Sequence, residues 1–271
     1  MKKLLFFACA MLLIMACNKK GTGTPEADNS PKTDSVIDSL KIHQGKQDIS
    51  TKIKIVVPVG NEALTKSINQ MIKAAVEAND SVDANDLKAM ARFFVENRAN
   101  EMKEDADYEG DDPEGPNLWH EMEIKILYEN DQIITMGVIQ DVYLAGAHGS
   151  ALFEGVTFNK ADGKVLGKNI LAQDKIDEVR KAVTQELEKY LKDTMDSDYN
   201  EAESPLKDET GKDNIVELPE KGIYINNDSV VFIYQQYEIL PYAFGLPEAS
   251  LSLKDMKKNG WLEAEFAKTV K

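Results

Sequence analysis

Hydrophobic and polar residues alternate in several stretches of the chain, and this alternation predicts β-strands. The stretch "DISTKIKIVVPV", residues 48–59, carries β-branched residues at nearly every second position. In residues 118–128, apolar side chains alternate with glutamate and lysine over a full strand length. Asn130 and Asp131 follow and supply the residues of a turn. The pattern therefore predicts a β-hairpin in this part of the chain.

Three stretches have the apolar spacing of amphipathic helices. The first follows Asn61, which is placed as its N-cap, and the second follows Asp83. A longer third helix is predicted to begin at Asp174, acting as its cap. The apolar positions are Leu64, Ile68, Met71, Ile72, Ala75 and Val76, then Leu87, Met90, Phe94 and Met102, and finally Ile176, Val179, Val183, Leu187, Tyr190 and Leu191. Each apolar face needs a partner, so we expect the helices to pack on a sheet.

Short strands and turns fill most of the remaining sequence. A second hairpin is predicted at "ALFEGVTFN" and "KVLGKNI", with its turn around Asp162 and Gly163, and three further strands at "GIYIN", "SVVFIYQ" and "EASLSL". Strands and helices come in blocks, and hairpins dominate. The sequence therefore predicts an α+β fold of antiparallel sheet hairpins with amphipathic helices packed on them. We expect two intimately packed α+β halves, residues 47–144 and residues 145–271.

The first residues of the chain are typical of an exported lipoprotein. Residues 1–16 contain two lysines followed by a short apolar run, which is the pattern of a signal peptide. The run ends in "LIMAC", which resembles the lipobox of bacterial lipoproteins, so Cys17 is the predicted lipidation site. Residues 17–46 are interpreted as the lipidated cysteine and a flexible tether. The predicted location is the bacterial cell envelope, lipid-anchored and extracytoplasmic, with the periplasmic face favoured because no acidic run follows Cys17.

Composition limits the classes of partner and cofactor. The 271 residues include 47 acidic and 32 basic side chains, for a net charge of −15. This charge disfavours nucleic acid as a partner and favours encounters with basic proteins. Of the two cysteines, Cys9 is removed with the signal peptide and Cys17 carries the lipid. The mature chain then has no disulfide and no cysteine metal site, and we expect no cofactor.

Familiar catalytic and metal-binding patterns are missing from the sequence. The glycines of a nucleophile elbow are replaced by His148 and Leu152 around Ser150. No histidine pair has the spacing of a zinc site, and His120 falls on the apolar side of its strand, where a buried and hydrogen-bonded ring is expected. The acidic loop "EDADYEGDDPEG" departs from a calcium loop where the bidentate glutamate is needed. We therefore predict no catalytic residue and no metal.

Two stretches, "YLAGAHGSALFEGVTF" and "SVVFIYQQYEILPYAFGLPEASLSL", carry a resemblance to a known family. The matching residues are Gly146, Ala147, His148 and Gly149, then Asp162, Gly163 and Lys164, and then Tyr237, Glu238, Pro241, Tyr242 and Gly245. Over residues 143–253 the chain resembles a family of extracytoplasmic domains of unknown function; Gln236 stands where members often have proline. Similar domains occur in the ectodomain of a lysozyme-sensing anti-sigma factor and ahead of a peptidoglycan deacetylase domain. Residues 48–143 have the layout of the companion domain that usually precedes this one.

The resemblance and the residues together lead to three functional hypotheses. The first is a non-catalytic envelope lipoprotein that binds a basic protein such as lysozyme, or a cell-wall glycan. The second is a peptidoglycan-directed hydrolase or deacetylase that uses His148 and Glu238 as acid and base. The third is a structural envelope lipoprotein. His148 is either a structural corner or a ligand contact, and the ligand-binding candidates are His148, Gly149, Tyr237, Glu238 and Tyr242. The lipid on Cys17 implies the membrane as a further partner.

Overall fold

The computed structural model describes residues 32–44, 47–108, 117–195, 204–207 and 214–270. The predicted signal peptide, the lipidation site Cys17 and most of the acidic loop lie outside these residues. Lys32–Lys271 form one compact unit. None of the helices in the described ranges is long and apolar enough to cross a membrane.

The first half of the unit is built on a six-stranded sheet whose strands follow one another in chain order. The strands are β1 (Thr33–Gln44), β2 (Gln47–Pro58), β3 (Leu118–Glu129), β4 (Ile133–Tyr143), β5 (Ser150–Asn159) and β6 (Val165–Leu166). Neighbouring strands are antiparallel except β2 and β3, which are parallel. The parallel pair arises because two helices connect β2 to β3, and such a crossover lets the chain re-enter the sheet in the same direction.

These connecting helices are α1 (Glu62–Ala75) and α2 (Leu87–Tyr108). Asn61 caps α1 as predicted, since its side chain accepts a hydrogen bond from the backbone N–H of Leu64. The apolar faces of both helices pack on one face of the sheet. The central residues of this core, each with at most 1% of its surface exposed, are Ile53, Ile55, Ile68, Ile72, Met90, Phe94, Ile124, Ile134, Met136 and Phe158.

The second half contains a long helix, α3 (Ile176–Met195), and a three-stranded antiparallel sheet. The sheet consists of β7 (Ile223–Asn226), β8 (Ser229–Ile233) and β9 (Glu248–Ser252), and two short helices follow it, α4 (Leu253–Lys258) and α5 (Ala264–Thr269). Helix α3 lies against this sheet. Its residues Val179, Val183, Leu187 and Leu191 are completely buried in one core with Phe232 and Tyr234.

A closed ring of hydrogen bonds joins the two sheets. The backbone N–H of Ile225 in β7 donates to Oγ1 of Thr157 at 2.8 Å. Oγ1 of Thr135 donates to the carbonyl of Ile225 at 2.6 Å, and the two threonine hydroxyls are 2.8 Å apart. All three residues are completely buried. Since each donor has an acceptor, the ring satisfies the polar groups and fixes β7 against the centre of the first sheet.

The α+β prediction is confirmed, with its hairpins, its amphipathic helices and its antiparallel sheets. The predicted tether is wrong for residues 33–44, which form the edge strand β1 and pair with β2 along its whole length. The reason is a modest alternation: Val36, Leu40 and Ile42 pack against the core, while Ile37, Ser39 and Lys41 between them face solvent.

Two boundaries also differ from the sequence prediction. The first sheet does not end near residue 144, because β5 and β6 continue it to Leu166. Asp174 does not cap α3. It lies in a short 3₁₀ turn, Gln173–Lys175, and the α-helix begins at Ile176. The turn brings the chain from the sheet into the helix without a side-chain cap.

Candidate functional site

The corner that carries His148 is the connection between β4 and β5. Gly146 has φ +94°, a conformation that favours glycine. Gly149 is restricted by space, because an added Cβ would lie 3.0 Å from the carbonyl oxygen of Val142. The phenol oxygen of Tyr143 donates to the Gly146 carbonyl at 3.1 Å. The corner therefore needs both glycines, and they hold the backbone in a shape that presents the next side chain, His148, to the neighbouring loop.

The imidazole of His148 is held on three sides. Its Nδ1 donates to the carbonyl of Gly149 at 2.8 Å, so this nitrogen carries the hydrogen. Its Nε2 lies 3.4 Å from the hydroxyl of Tyr237, a long hydrogen bond. One face of the ring stacks on Tyr242, with ring centroids 3.7 Å apart and planes 11° apart. Of the predicted candidates, the structure thus brings together His148, Tyr237 and Tyr242, which we call the ring cluster.

The loop that carries the two tyrosines is fixed from both ends. The side-chain amide of Gln235 donates to the carbonyl of Phe153 at 2.6 Å and accepts from its N–H at 3.2 Å. In this way the amide pairs with the free edge of β5 as a strand would. At the other end, the hydroxyl of Tyr190 in α3 donates to the carbonyl of Phe244 at 2.6 Å. The loop is therefore tied to the first sheet and to the helix of the second half.

Tyr237 has an unusual backbone conformation. Its φ is +67°, a backbone angle that residues other than glycine rarely adopt. Its N–H donates to the carbonyl of Leu240 at 3.1 Å and so closes a tight turn. Such strain costs on the order of 1 kcal/mol or more, and it persists where surrounding contacts enforce it, often in binding sites. Here the strained turn aims the phenol ring of Tyr237 at His148.

The ring cluster faces solvent. Tyr237 is 64% exposed and Tyr242 is 39% exposed, and their ring centroids are 6.0 Å apart. Tyrosine combines an apolar face with a polar hydroxyl, which suits it to surfaces that alternate between water and a ligand. Rings that only stabilise a fold are usually buried. Two exposed tyrosine rings held around a half-buried imidazole are instead suited to a contact surface.

Glu238, which one hypothesis pairs with His148 as acid and base, supports its own loop. Its carboxylate accepts the backbone N–H of Gln235 at 2.8 Å, and no hydrogen bond joins it to His148 in the described residues. In this arrangement Glu238 shapes the loop and contributes a negative charge to its surface.

The other histidines lie elsewhere and have local partners. His120 is only 8% exposed, its Nε2 donates to the side-chain oxygen of Gln140 at 2.8 Å, and its ring contacts Phe94 edge-on. Burial lowers the pKa of His120, so the ring is neutral near pH 7. This confirms the buried, hydrogen-bonded histidine that the sequence predicts.

His43 pairs with Asp48 on the edge strand. In the described parts of the chain, no group of three or more His, Cys, Asp or Glu side chains is placed to hold a metal.

Gln235 is the positioning residue that sequence reasoning missed. Its partner, Phe153, is 82 residues away in the chain. The sequence around Gln235 contains no pattern that would predict this contact. Gln236 was noticeable only as a replacement for proline; its side chain accepts the N–H of Ala151 at 3.4 Å, a weaker contact with the same strand edge.

Comparison with known proteins identifies the domain that contains the tyrosine loop. Residues 168–254 match the family described as "Protein of unknown function (DUF3298)", so the chain contains a DUF3298 domain. The match begins just after the first sheet ends, and it includes Tyr237 and Tyr242 but not His148. No curated protein matches the chain significantly.

Two solved structures share the fold across both halves. A DUF3298 family member from Bacteroides fragilis is 17% identical, with a TM-score of 0.63, and the match covers 87% of this chain and 94% of that one. A DUF3298 family protein from Pseudomonas aeruginosa is 15% identical, with a TM-score of 0.57 and coverage of 88% and 96%. At these identities the likeness shows the fold alone.

Proposed function

We propose that this chain is a non-catalytic binding module of the bacterial cell envelope, and that the ring cluster is its ligand contact. The observation that carries the proposal is the exposure of Tyr237 and Tyr242 around a stacked and immobilised His148. The rings are held by contacts from both halves of the unit, so the surface is formed before the ligand arrives. Preorganisation of this kind reduces the entropic cost of binding.

A cell-wall glycan is the ligand class that the geometry favours. The apolar face of a sugar ring can lie on the face of a tyrosine, while the hydroxyl and acetamido groups around it need hydrogen-bonding partners. Gln236 and Glu238 line a cleft together with Tyr237 and provide amide and carboxylate groups there. Binding sites of this type combine aromatic faces with a few placed polar groups.

A basic protein such as lysozyme is the second candidate, and the net charge supports it. The chain carries 47 acidic against 32 basic side chains. A field of this sign accelerates encounter with a cationic partner, and salt weakens the effect. Tyrosines are also enriched in the energetically important centres of protein interfaces. On this alternative, the ring cluster and Glu238 would contact the cationic surface.

The position of the chain in the cell is part of the proposal. The lipobox-like "LIMAC" supports a lipid on Cys17, and a diacylated cysteine would hold the module durably at a membrane. The residues between Cys17 and β1 would then act as the tether. We propose the extracytoplasmic side, with the periplasmic face favoured.

A calorimetric titration of residues 32–271 tests the proposal, since these residues form one compact unit. The ligands are soluble peptidoglycan fragments and, separately, c-type lysozyme at low and raised salt. We expect saturable binding of at least one ligand that Tyr242→Ala weakens by about tenfold or more, which corresponds to about 1.4 kcal/mol. Ile37→Ala is the control, because it removes an apolar side chain that is 66% exposed on β1. Equal losses in both variants, or no binding to either ligand, would contradict the proposal.

A further inference from the structure

A pair of stacked aromatic rings lies on the outer face of the first sheet, the face that points away from α1 and α2. Trp119 of β3 and Tyr143 of β4 are opposite each other in the register, and their ring centroids are 4.7 Å apart with planes at 26°. They lie on this face because the next residue of β3, His120, points inward, where its ring contacts Phe94 of α2. Both aromatic residues are half-buried, so the pair is partly open to solvent.

Both rings are fixed by hydrogen bonds. The indole N–H of Trp119 donates to Oδ1 of Asp141 at 3.3 Å, and the hydroxyl of Tyr143 donates to the carbonyl of Gly146 at 3.1 Å. Asp141 is exposed, and opposite it on β5 is the exposed Ala151, whose small side chain occupies little of the space beside the carboxylate. The sheet therefore presents a carboxylate at the edge of an aromatic surface.

Asp141 differs from the neighbouring carboxylates because it forms no ion pair with a described residue. The others on the outer face have lysine partners: Asp48 pairs with Lys41, Glu121 with Lys52, and Glu123 with Lys54 and Lys125. Glu121 is also directly opposite Asp141 in the register, and like charges in this position repel each other. The aromatic pair thus lies beside a carboxylate whose charge is not compensated by the described part of the chain.

The chain contains a second pair of an indole and a carboxylate, and there the cation is present. The indole N–H of Trp261 donates to Oε2 of Glu178 at 3.1 Å, and Nζ of Lys175 lies 2.7 Å from Oε1 of the same carboxylate. Lysine, carboxylate and indole form a complete group in this place. The pair of Trp119 and Asp141 has the same two parts without a cation from the described residues, so a cation from a partner would complete it.

The stacked rings indicate which cation would fit. A guanidinium group is planar, lies flat on aromatic rings and can donate two parallel hydrogen bonds to one carboxylate. An ammonium group is a compact and strongly hydrated charge, and it gains less from a flat aromatic surface. Arginine is therefore the side chain whose shape matches both the ring pair and Asp141. The net charge of −15 accelerates encounters with a basic protein that presents such a side chain.

From these features we infer that Trp119, Tyr143 and Asp141 form a binding site for an arginine side chain of a basic partner protein. The guanidinium lies on the open part of the ring pair and donates hydrogen bonds to Asp141, with Glu121 as a second carboxylate nearby. The inference goes beyond the proposed function. It uses no residue of the ring cluster, so it would stand if the ring cluster bound no ligand.

A nuclear magnetic resonance titration of isotope-labelled residues 32–271 tests the inference, because the chain has two tryptophans and each indole N–H reports on its own carboxylate. The probe is N-acetyl-arginine amide, and the control ligand is the citrulline analogue, which has nearly the same shape and no charge. The Trp119 signal should shift saturably, with an affinity for arginine at least about tenfold higher than for citrulline. The Trp261 signal should stay in place, because Lys175 already pairs with Glu178.

Two variants assign the effect to the carboxylate. Asp141→Asn keeps an oxygen that can accept the indole N–H and removes the charge, so the affinity for the arginine probe should fall several-fold. Glu178→Gln is the matched control, because it removes the charge from the completed group, and the affinity should not change. An unchanged affinity in Asp141→Asn, equal losses in the two variants, or no saturable shift of the Trp119 signal in the wild type would overturn the inference.

Further ligands test the chemistry of the partner. N-acetyl-lysine amide should bind several-fold more weakly than the arginine probe, because its ammonium cannot lie flat on the rings. Equal binding of the two, or of arginine and citrulline, would overturn the assignment to a guanidinium. Free arginine should bind no more tightly than the capped probe, which imitates a residue within a chain. Tighter binding of free arginine would contradict a protein as the partner.

Discussion

The imidazole of His148 lies flat on the phenol ring of Tyr242, with 3.7 Å between ring centroids. The two residues come from different loops, one at the corner of the first sheet and one in the DUF3298 domain. Their contact therefore joins the two halves at the surface, as the hydrogen bonds among Thr135, Thr157 and Ile225 join them in the interior. A ligand that covers both rings would contact both halves at once.

Substitutions of His148 separate a binding role from an acid–base role. His148→Phe keeps a flat ring that can stack on Tyr242, whereas His148→Ala does not. If stacking is the role, His148→Ala should lose about tenfold in affinity and His148→Phe should stay close to the wild type. Titration calorimetry with the same wall fragment measures both. Similar losses in the two variants would indicate that the imidazole nitrogens are needed.

The amide of Gln235 should matter more for the loop than that of its neighbour. Gln235→Ala removes two hydrogen bonds to Phe153, of 2.6 and 3.2 Å, and Gln236→Ala removes one of 3.4 Å. At about 0.5–1.5 kcal/mol per hydrogen bond, we expect Gln235→Ala to lower the free energy of unfolding by about 1–3 kcal/mol. Gln236→Ala should lower it by less than half of that. Urea denaturation of both variants checks this order, and the reverse order would contradict the described pairing with β5.

The buried hydrogen bonds of the Thr157 hydroxyl predict a difference in stability between two variants of this residue. Thr157→Val leaves the buried N–H of Ile225 without its acceptor, which should cost about 1–3 kcal/mol of unfolding free energy. Thr157→Ser keeps the hydroxyl and loses only a methyl group, at a cost of about 1 kcal/mol. Chemical denaturation followed by circular dichroism measures both values. A valine variant as stable as the serine variant would show that this hydroxyl does not hold β7.

His120 predicts how stability depends on pH. Because burial lowers the pKa of His120 below its usual value of about 6.5, the unfolded chain takes up a proton at a higher pH than the folded chain. The stability from His120 is therefore complete above about pH 6.5 and falls as the pH drops, by up to about 1.4 kcal/mol per pH unit.

Denaturation curves of the wild type and His120→Gln from about pH 7.5 to about pH 5 test this relationship. Glutamine does not titrate, so the variant should lose less stability across this range, whatever its stability at neutral pH. Identical slopes for the two proteins would exclude His120 as a source of the pH dependence.

Most of the fold could be predicted because its patterns are local. The spacing along α1 and α2 and the alternation in β3 lie within single elements, and their apolar residues are the ones found in the core. Strand β1 was missed for the opposite reason. Its residues share the composition of the preceding linker, and its role depends on pairing with β2. The parallel order of β2 and β3 likewise depends on how the helices cross the sheet.

The site was predictable in its residue types but not in its geometry. The glycines around His148 and the "YEILPYAFG" stretch could be found in the sequence. The stacking on Tyr242 and the amide of Gln235 on the edge of β5 both depend on contacts between distant parts of the chain. No spacing rule connects such residues before the two halves are placed together.

The most direct test of the central claim is a nuclear magnetic resonance titration that observes the aromatic side chains of residues 32–271 as a soluble peptidoglycan fragment is added. If the ring cluster is the contact, the signals of His148, Tyr237 and Tyr242 should shift saturably with one dissociation constant, while those of the buried Phe94 should stay in place. Saturable shifts confined to other residues, with these three rings unchanged, would contradict the account.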